Sequence, residues 1–148
     1  MTYLCLTAAF GVVMWVWDFQ IIDEMFNAEQ ILTHVAALTA EQKQVHIITT
    51  ATLDVAYPFA YGFFQAGMAW RYLGRWGNWI APLSLLCMPV DLAEGFAQVM
   101  ILSDHSQFVA LKTVATPVKL ALYLPGLVGA VVALWIAARQ HPRGEQNR

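Results

Sequence analysis

An apolar run from Trp79 to about Ser103 is long enough to cross a bilayer, yet it carries Asp91 and Glu94 near its middle, just after Pro89. A spanning helix needs about 20 predominantly apolar residues. A carboxylate at that depth is costly and is as a rule paired or functional. A fold that contains Asp91 and Glu94 must therefore bring them partners from other elements, and those partners have to be present in the remaining apolar runs.

The chain has 148 residues, one domain's worth, of which 59% are hydrophobic and 12% charged. A soluble domain has about 45–50% apolar and about 25% charged residues, so the balance points to an integral membrane protein. The net charge of −2 argues against nucleic acid, whose binders need basic patches. Cys5 and Cys87 lie in different apolar runs without metal-type spacing, and both read as small packed residues.

Three further runs accompany the first. Run one is Thr2 to about Ile22, with Trp15 and Asp18. No Lys or Arg precedes Lys43, so the basic start of a signal peptide is missing, and run one is expected to be a retained first span. Run two is Val45 to about Trp70, with Asp54 and Pro58; run three is Trp79–Ser103; run four is Phe108 to about Ala138, with Lys112, Pro117, Lys119 and Pro125. Between runs one and two, Asn27-Ala-Glu-Gln30 and Thr39-Ala-Glu-Gln42 each place a capping side chain three residues before a Gln. They predict a short amphipathic helix from about Ala28 to Leu38 in the first outer loop, lying on the interface or over the mouth of the bundle, and a second helix starting near Ala40.

The expected fold is thus an all-α, four-span bundle over residues 1–138, with a polar cytoplasmic tail at 139–148. Four spans put both termini on one side, together with Arg71, Arg75, Arg139, Arg143 and Arg148; the other side has Lys43 among Asp23, Glu24, Glu29 and Glu41. The positive-inside rule places the arginine side in the cytoplasm. The tryptophans cluster near span ends, as interfacial belts do, with Trp15 the exception that the bundle interior can use.

Residues at i, i+3, i+4 and i+7 share a helix face. Asp54, Tyr57, Tyr61 and Gln65 form such a stripe on run two; Cys87, Asp91, Glu94 and Gln98 on run three; Lys112, Thr116, Lys119 and Tyr123 on run four; Thr7, Gly11, Trp15 and Asp18 form a weaker one on run one. At about 1.5 Å per residue, Asp54, Asp91, Glu94 and Lys119 lie roughly 13–18 Å in from the outer ends of their runs. That is close to the midplane of a core about 30 Å thick. Lys112 and Asp18 lie nearer the outer surface by the same reckoning.

Three acids then face one deep lysine, and counting Lys112 still leaves a surplus of carboxylates. Crowded carboxylates in a low dielectric cannot all ionise. Three uses fit such a cluster: ion pairs that fix helix register, acid–base chemistry, and passage of protons or solutes. The cluster holds more charges than register requires. The expected site takes Asp54, Asp91, Glu94 and Lys119 as acid–base residues. Tyr57, Tyr61, Gln98, Lys112, Thr116, Tyr123, Trp15 and Asp18 are expected to line the ligand. The expected partner is a lipophilic small molecule or membrane lipid. A proton-coupled carrier, or an accessory subunit of a larger membrane complex, is the alternative. No motif calls for a cofactor or a metal: phosphate-binding glycine loops, Ser-His-Asp order and paired zinc cysteines are absent. His34, His46 and His105 fall on the outer side without motif spacing and read as solvated loop histidines.

On these residues the chain resembles an uncharacterised group of small bacterial four-helix membrane proteins. The resemblance rests on Asp54-Val-Ala-Tyr57-Pro58-Phe-Ala-Tyr61-Gly62, on Asp91-Leu-Ala-Glu94-Gly95 and on Lys119, and covers roughly residues 27–122. Many members of that group have Asn where this chain has Gly95, a change that widens the space beside Glu94. The resemblance implies the fold and a multi-pass place in the bacterial inner membrane. In architecture alone the chain is also similar to sterol-isomerase and sigma-2-receptor type domains, in which a few helices surround an intramembrane acidic pocket. The histidine-containing motif of that type does not occur in these spans.

Overall fold

The computed structural model describes residues 25–140 together with Val12, Trp15, Val16 and Ile22. Run one as a span, its Asp18, and the tail arginines Arg143 and Arg148 lie outside the described residues. The described residues are helical, without a strand, and connect through short turns.

The first helix, α1, is Ala28–Ala37. Asn27 caps it by accepting from the Glu29 N–H at 2.8 Å, so the cap forms one residue earlier than the expected bond to Gln30. The second, α2, is Ala40–Thr49, and here the predicted capping box is complete: the Gln42 N–H donates to Thr39 Oγ1 at 3.2 Å, and the Thr39 N–H donates to Gln42 Oε1 at 3.0 Å. This double bond satisfies two donors that a helix start leaves open.

From Thr49 the chain continues without a break through a widened, π-helical segment, Thr50–Asp54, into α3, Val55–Tyr72. Pro58 explains the widening. Proline has no N–H to give to the carbonyl four residues back, and its ring crowds that carbonyl; the residue in question is Asp54. The expected proline kink therefore takes the form of a wide turn just upstream, at the residues that reach the polar layer. A turn at Gly74–Trp76, where Gly74 adopts the left-handed conformation (φ 53°), leads into α4, Gly77–Leu102. A second reversal has Asp104 at φ 67°, accepting from Lys43 Nζ at 3.1 Å. After the turn Ser106–Phe108 comes α5, Val109–Gln140.

The three long bodies pack on one another, and two apolar clusters mark the ends of the stack. At one end Ile31, Val35, Ile101, Leu102 and Val109 bury themselves with Ile22; at the other, Ala66, Ala69 and Ala81 bring the helices close. Gly126 allows the same closeness nearby. A Cβ there would overlap Gln65 Oε1 and Ser84 Oγ. The outer surface is strongly apolar, with Leu86, Phe96, Val114, Leu124, Val128 and Val131 exposed. Two helical stretches, Gly74–Leu102 and Ser106–Gln140, are long and apolar enough to cross a membrane. The helix from Ala40 to Tyr72 begins with a polar turn and a half, Ala-Glu-Gln-Lys-Gln.

Candidate functional site

Between the two apolar ends lies a charged layer built from α3, α4 and α5. Its centre is Glu94, fully buried on α4. Lys112 Nζ stands 2.8 Å from Glu94 Oε1, and Lys119 Nζ stands 2.6 Å from Glu94 Oε2. Lys112 is itself fully buried. Thr116, between the two lysines on α5, gives its one proton to Glu94 Oε1 at 2.5 Å and accepts from Lys112 Nζ at 3.1 Å. Burying an ion pair repays its desolvation only when good geometry and further hydrogen bonds accompany it, and Thr116 supplies one.

Asp91 lies one turn before Glu94 and is arranged differently. Its Oδ1 is 3.2 Å from Lys119 Nζ, and its Oδ2 accepts the Tyr61 hydroxyl at 2.8 Å. With that proton committed, the Tyr61 oxygen is free to accept from the Cys87 thiol, 3.2 Å away. Cys87 is thus a member of the polar layer as well as a small packed residue. The Tyr61 ring meets Tyr123 edge to face with centroids 5.0 Å apart, and Tyr57 at 5.6 Å. Tyrosines from α3 and α5 thereby hold the hydroxyl that holds Asp91.

A cavity of about 240 Å³ opens beside Asp91, between the widened segment and α4. Asp54 and Asp91 provide its carboxylates, Thr50 its hydroxyl, and Val55, Leu92 and Phe96 much of its carbon wall. Glu94, Lys112 and Lys119 do not line it. The layer therefore has a sealed part around Glu94 and an open part at Asp54 and Asp91, with Lys119 shared between them.

The helix-face spacing located most of these residues. Tyr61, Asp91, Glu94, Lys112, Thr116 and Lys119 meet in one network. Gln98 is buried one turn beyond Glu94, and Tyr57 and Tyr123 flank Tyr61. Trp15 is 84% exposed, and Asp18 is outside the described residues. Lys112, expected nearer the outer end of its run, is fully buried, and its long stem brings the ammonium to Glu94. One reading is corrected. His46 is not a solvated loop residue: it sits within α2 and is 1% exposed. Thr50 was the residue missed. Thr50 lies four residues before Asp54, so the run-two stripe extends to it; the stripe was ended at its first carboxylate, Asp54.

Among the described residues no group of three or more His, Cys, Asp or Glu side chains has a metal-holding arrangement. No family model, curated protein or solved structure matches this chain.

Proposed function

We propose that this chain is a multi-pass integral membrane protein of the bacterial inner membrane. In this reading it binds a lipid-like or isoprenoid-like molecule at the Asp54–Asp91 cavity and does acid–base chemistry on it. Several features support the membrane setting. The outward faces of α4 and α5 are apolar along most of their length. Arg71, Arg75 and Arg139 gather with Trp76 and Trp135 at one end of the helices, Arg139 lying 3.6 Å over the Trp135 ring, as interfacial anchors on a cytoplasmic face do. The charged layer sits between the ends, where hydrocarbon would surround it. Membership of the small bacterial four-helix group belongs to the same proposal and rests on the Asp54–Tyr61, Asp91–Glu94 and Lys119 pattern.

The observation that carries the functional reading is that an open carboxylate wall backs directly onto a closed network of charges. A carboxylate facing the ligand can give or take a proton. The change of charge is felt at once by Lys119, which lies within 3.2 Å of both Asp91 and Glu94. Preorganised charges of this kind stabilise charge that develops on a substrate. Untargeted lipid profiling of cells expressing the wild type and Glu94→Gln tests the reading: a lipid species whose abundance differs is expected, and identical profiles contradict an enzyme.

One observation favours a second reading. Tyr61, Asp91, Lys119, Glu94 and Lys112 form a continuous chain of close polar contacts, as a proton path requires. Proton flux into liposomes that is lost in Asp91→Asn supports that path, and the absence of flux under every gradient removes it.

A further inference from the structure

The glycines of the three long helices are of two kinds. At Gly62, Gly77 and Gly126 an added Cβ would overlap the Met88 side chain, the Ala69 carbonyl and the Gln65 amide, so close packing requires the smallest residue there. Gly95 is different. It lies within α4 and is not among the residues with positive φ. A Cβ added to it would meet Thr50 Cγ2 at 3.6 Å, an ordinary van der Waals contact, and nothing else from its surroundings within 4 Å. Glycine in a helix interior is less favourable than alanine, because it loses more backbone freedom on folding. Neither backbone nor packing accounts for that cost at position 95. Gly67 is also open, but it is exposed on α3, whereas Gly95 lines the cavity beside Asp91.

What the missing side chain leaves is volume. The cavity of about 240 Å³ has room for roughly eight water-sized groups at about 30 Å³ each. A leucine at position 95 would bring four carbons of about that size and fill roughly half of it. Its Cβ would point towards Thr50, another residue of the same wall.

The wall also selects what can use the space. Ala51, Val55, Leu92, Phe96 and Val99 make most of it carbon, and no Lys, Arg or His lines it among the described residues. Asp91 has both oxygens engaged, by Lys119 and by Tyr61, and Asp54 has an interaction of its own within the protein. Neither carboxylate calls for a counter-ion. Thr50 is in the opposite condition: it is 2% exposed, and its hydroxyl has no hydrogen-bond partner within the protein. A buried hydroxyl without a partner is unfavourable unless something supplies a bond. An anionic head would face two carboxylates with no cation in the wall. An uncharged hydroxyl can donate to Thr50 or accept from it, and it brings no charge into an apolar space.

We propose that Gly95 sets the size of the ligand: the chain of an uncharged, hydroxyl-bearing lipophilic molecule lies against its bare Cα, with the ligand hydroxyl bonded to Thr50 Oγ1. The proposal rests on reading the cavity as the ligand site; it names the head of the ligand and the residue that admits its chain. Helix stability is given up at position 95 for room.

The test uses the full chain in a neutral detergent at pH 7. Saturable binding of labelled dodecanol, dodecanoate and dodecylammonium is measured beside the Tm of each variant. Dodecanol is expected to bind tightest. Gly95→Ala is expected to raise Tm by a few degrees while weakening dodecanol binding several-fold, and Gly95→Leu to weaken it about tenfold or more. Thr50→Val is expected to weaken it about two- to tenfold, the worth of one neutral hydrogen bond. Opposite signs in stability and binding are the signature, since a glycine kept for packing would lose both with alanine. If Thr50→Val weakens dodecanol binding and the Gly95 variants do not, the cavity stands as the ligand site and the role of Gly95 falls. If dodecanoate or dodecylammonium binds tighter than dodecanol and responds to Gly95→Leu, the uncharged head falls. If none of the three binds saturably to the wild type, or none responds to any variant, the cavity falls as the ligand site. Should Gly95→Leu fold poorly, Gly95→Ala decides, because its added Cβ meets only an ordinary contact.

Discussion

Asp91 and Glu94 lie one turn apart on the same helix and occupy two different environments. Glu94 is closed off: two ammonium groups and one hydroxyl surround it, and its side chain has no exposed surface. Asp91 keeps 15% of its side chain exposed, shares one lysine and looks onto a cavity. The difference comes from the neighbours. Glu94 faces α5, where Lys112, Thr116 and Lys119 share one face. Asp91 faces Tyr61 of α3 and the gap left by the widened turn above it. The comparison teaches that two carboxylates at i and i+3 on one helix need not act as a unit. One is enclosed by its ion pairs, and the other borders a cavity.

Removing one member of the sealed part breaks the comparison most severely. Lys112→Met leaves Glu94 with a single shared lysine, and losing one partner of a buried pair costs about 3–5 kcal/mol. Denaturation of the purified protein in mixed micelles is expected to show a drop of that size. Lys112→Met combined with Glu94→Gln removes charge from both sides and is expected to recover most of it. A double variant no better than the single one contradicts the ion-pair account. Thr116→Val has the next largest effect. It strips a hydrogen bond from Glu94 while keeping the shape, for about 1–3 kcal/mol on the same assay. On the open side the effect on stability is smallest. Asp54→Asn is expected to cost less stability than Lys112→Met, because Asp54 borders the cavity and is not part of the pair that encloses Glu94. A loss as large as that of Lys112→Met places Asp54 in the structural core and erases the distinction.

Much of the charged layer was legible in the sequence because helices repeat faithfully. Three- and four-residue spacings put Tyr61, Asp91, Glu94, Thr116 and Lys119 on facing stripes, and the cost of bare charge in an apolar run required that they meet. The Thr39–Gln42 cap was equally readable, since its bonds are local. What the pattern did not supply was division within the layer. Axial depth alone did not pair Lys112 with Glu94, because depth ignores the reach of a flexible side chain. Thr50 sits on the same stripe as Asp54, Tyr57 and Tyr61, but among Thr49, Thr50 and Thr52 nothing in the sequence singles out the hydroxyl that lines the cavity. The cavity lies beside the widened segment, and side-chain spacing named two of its wall residues, Asp54 and Asp91, without showing the space between them.

The division between sealed and open carboxylates is tested most directly by photolabelling the full chain in bilayers with a diazirine-bearing isoprenoid lipid, followed by peptide mapping. The account predicts label concentrated on residues 50–55 and 91–99, displaced by excess unlabelled isoprenoid lipid. Label spread evenly over the apolar helix faces, or concentrated on Ala28–Ala37, would contradict it.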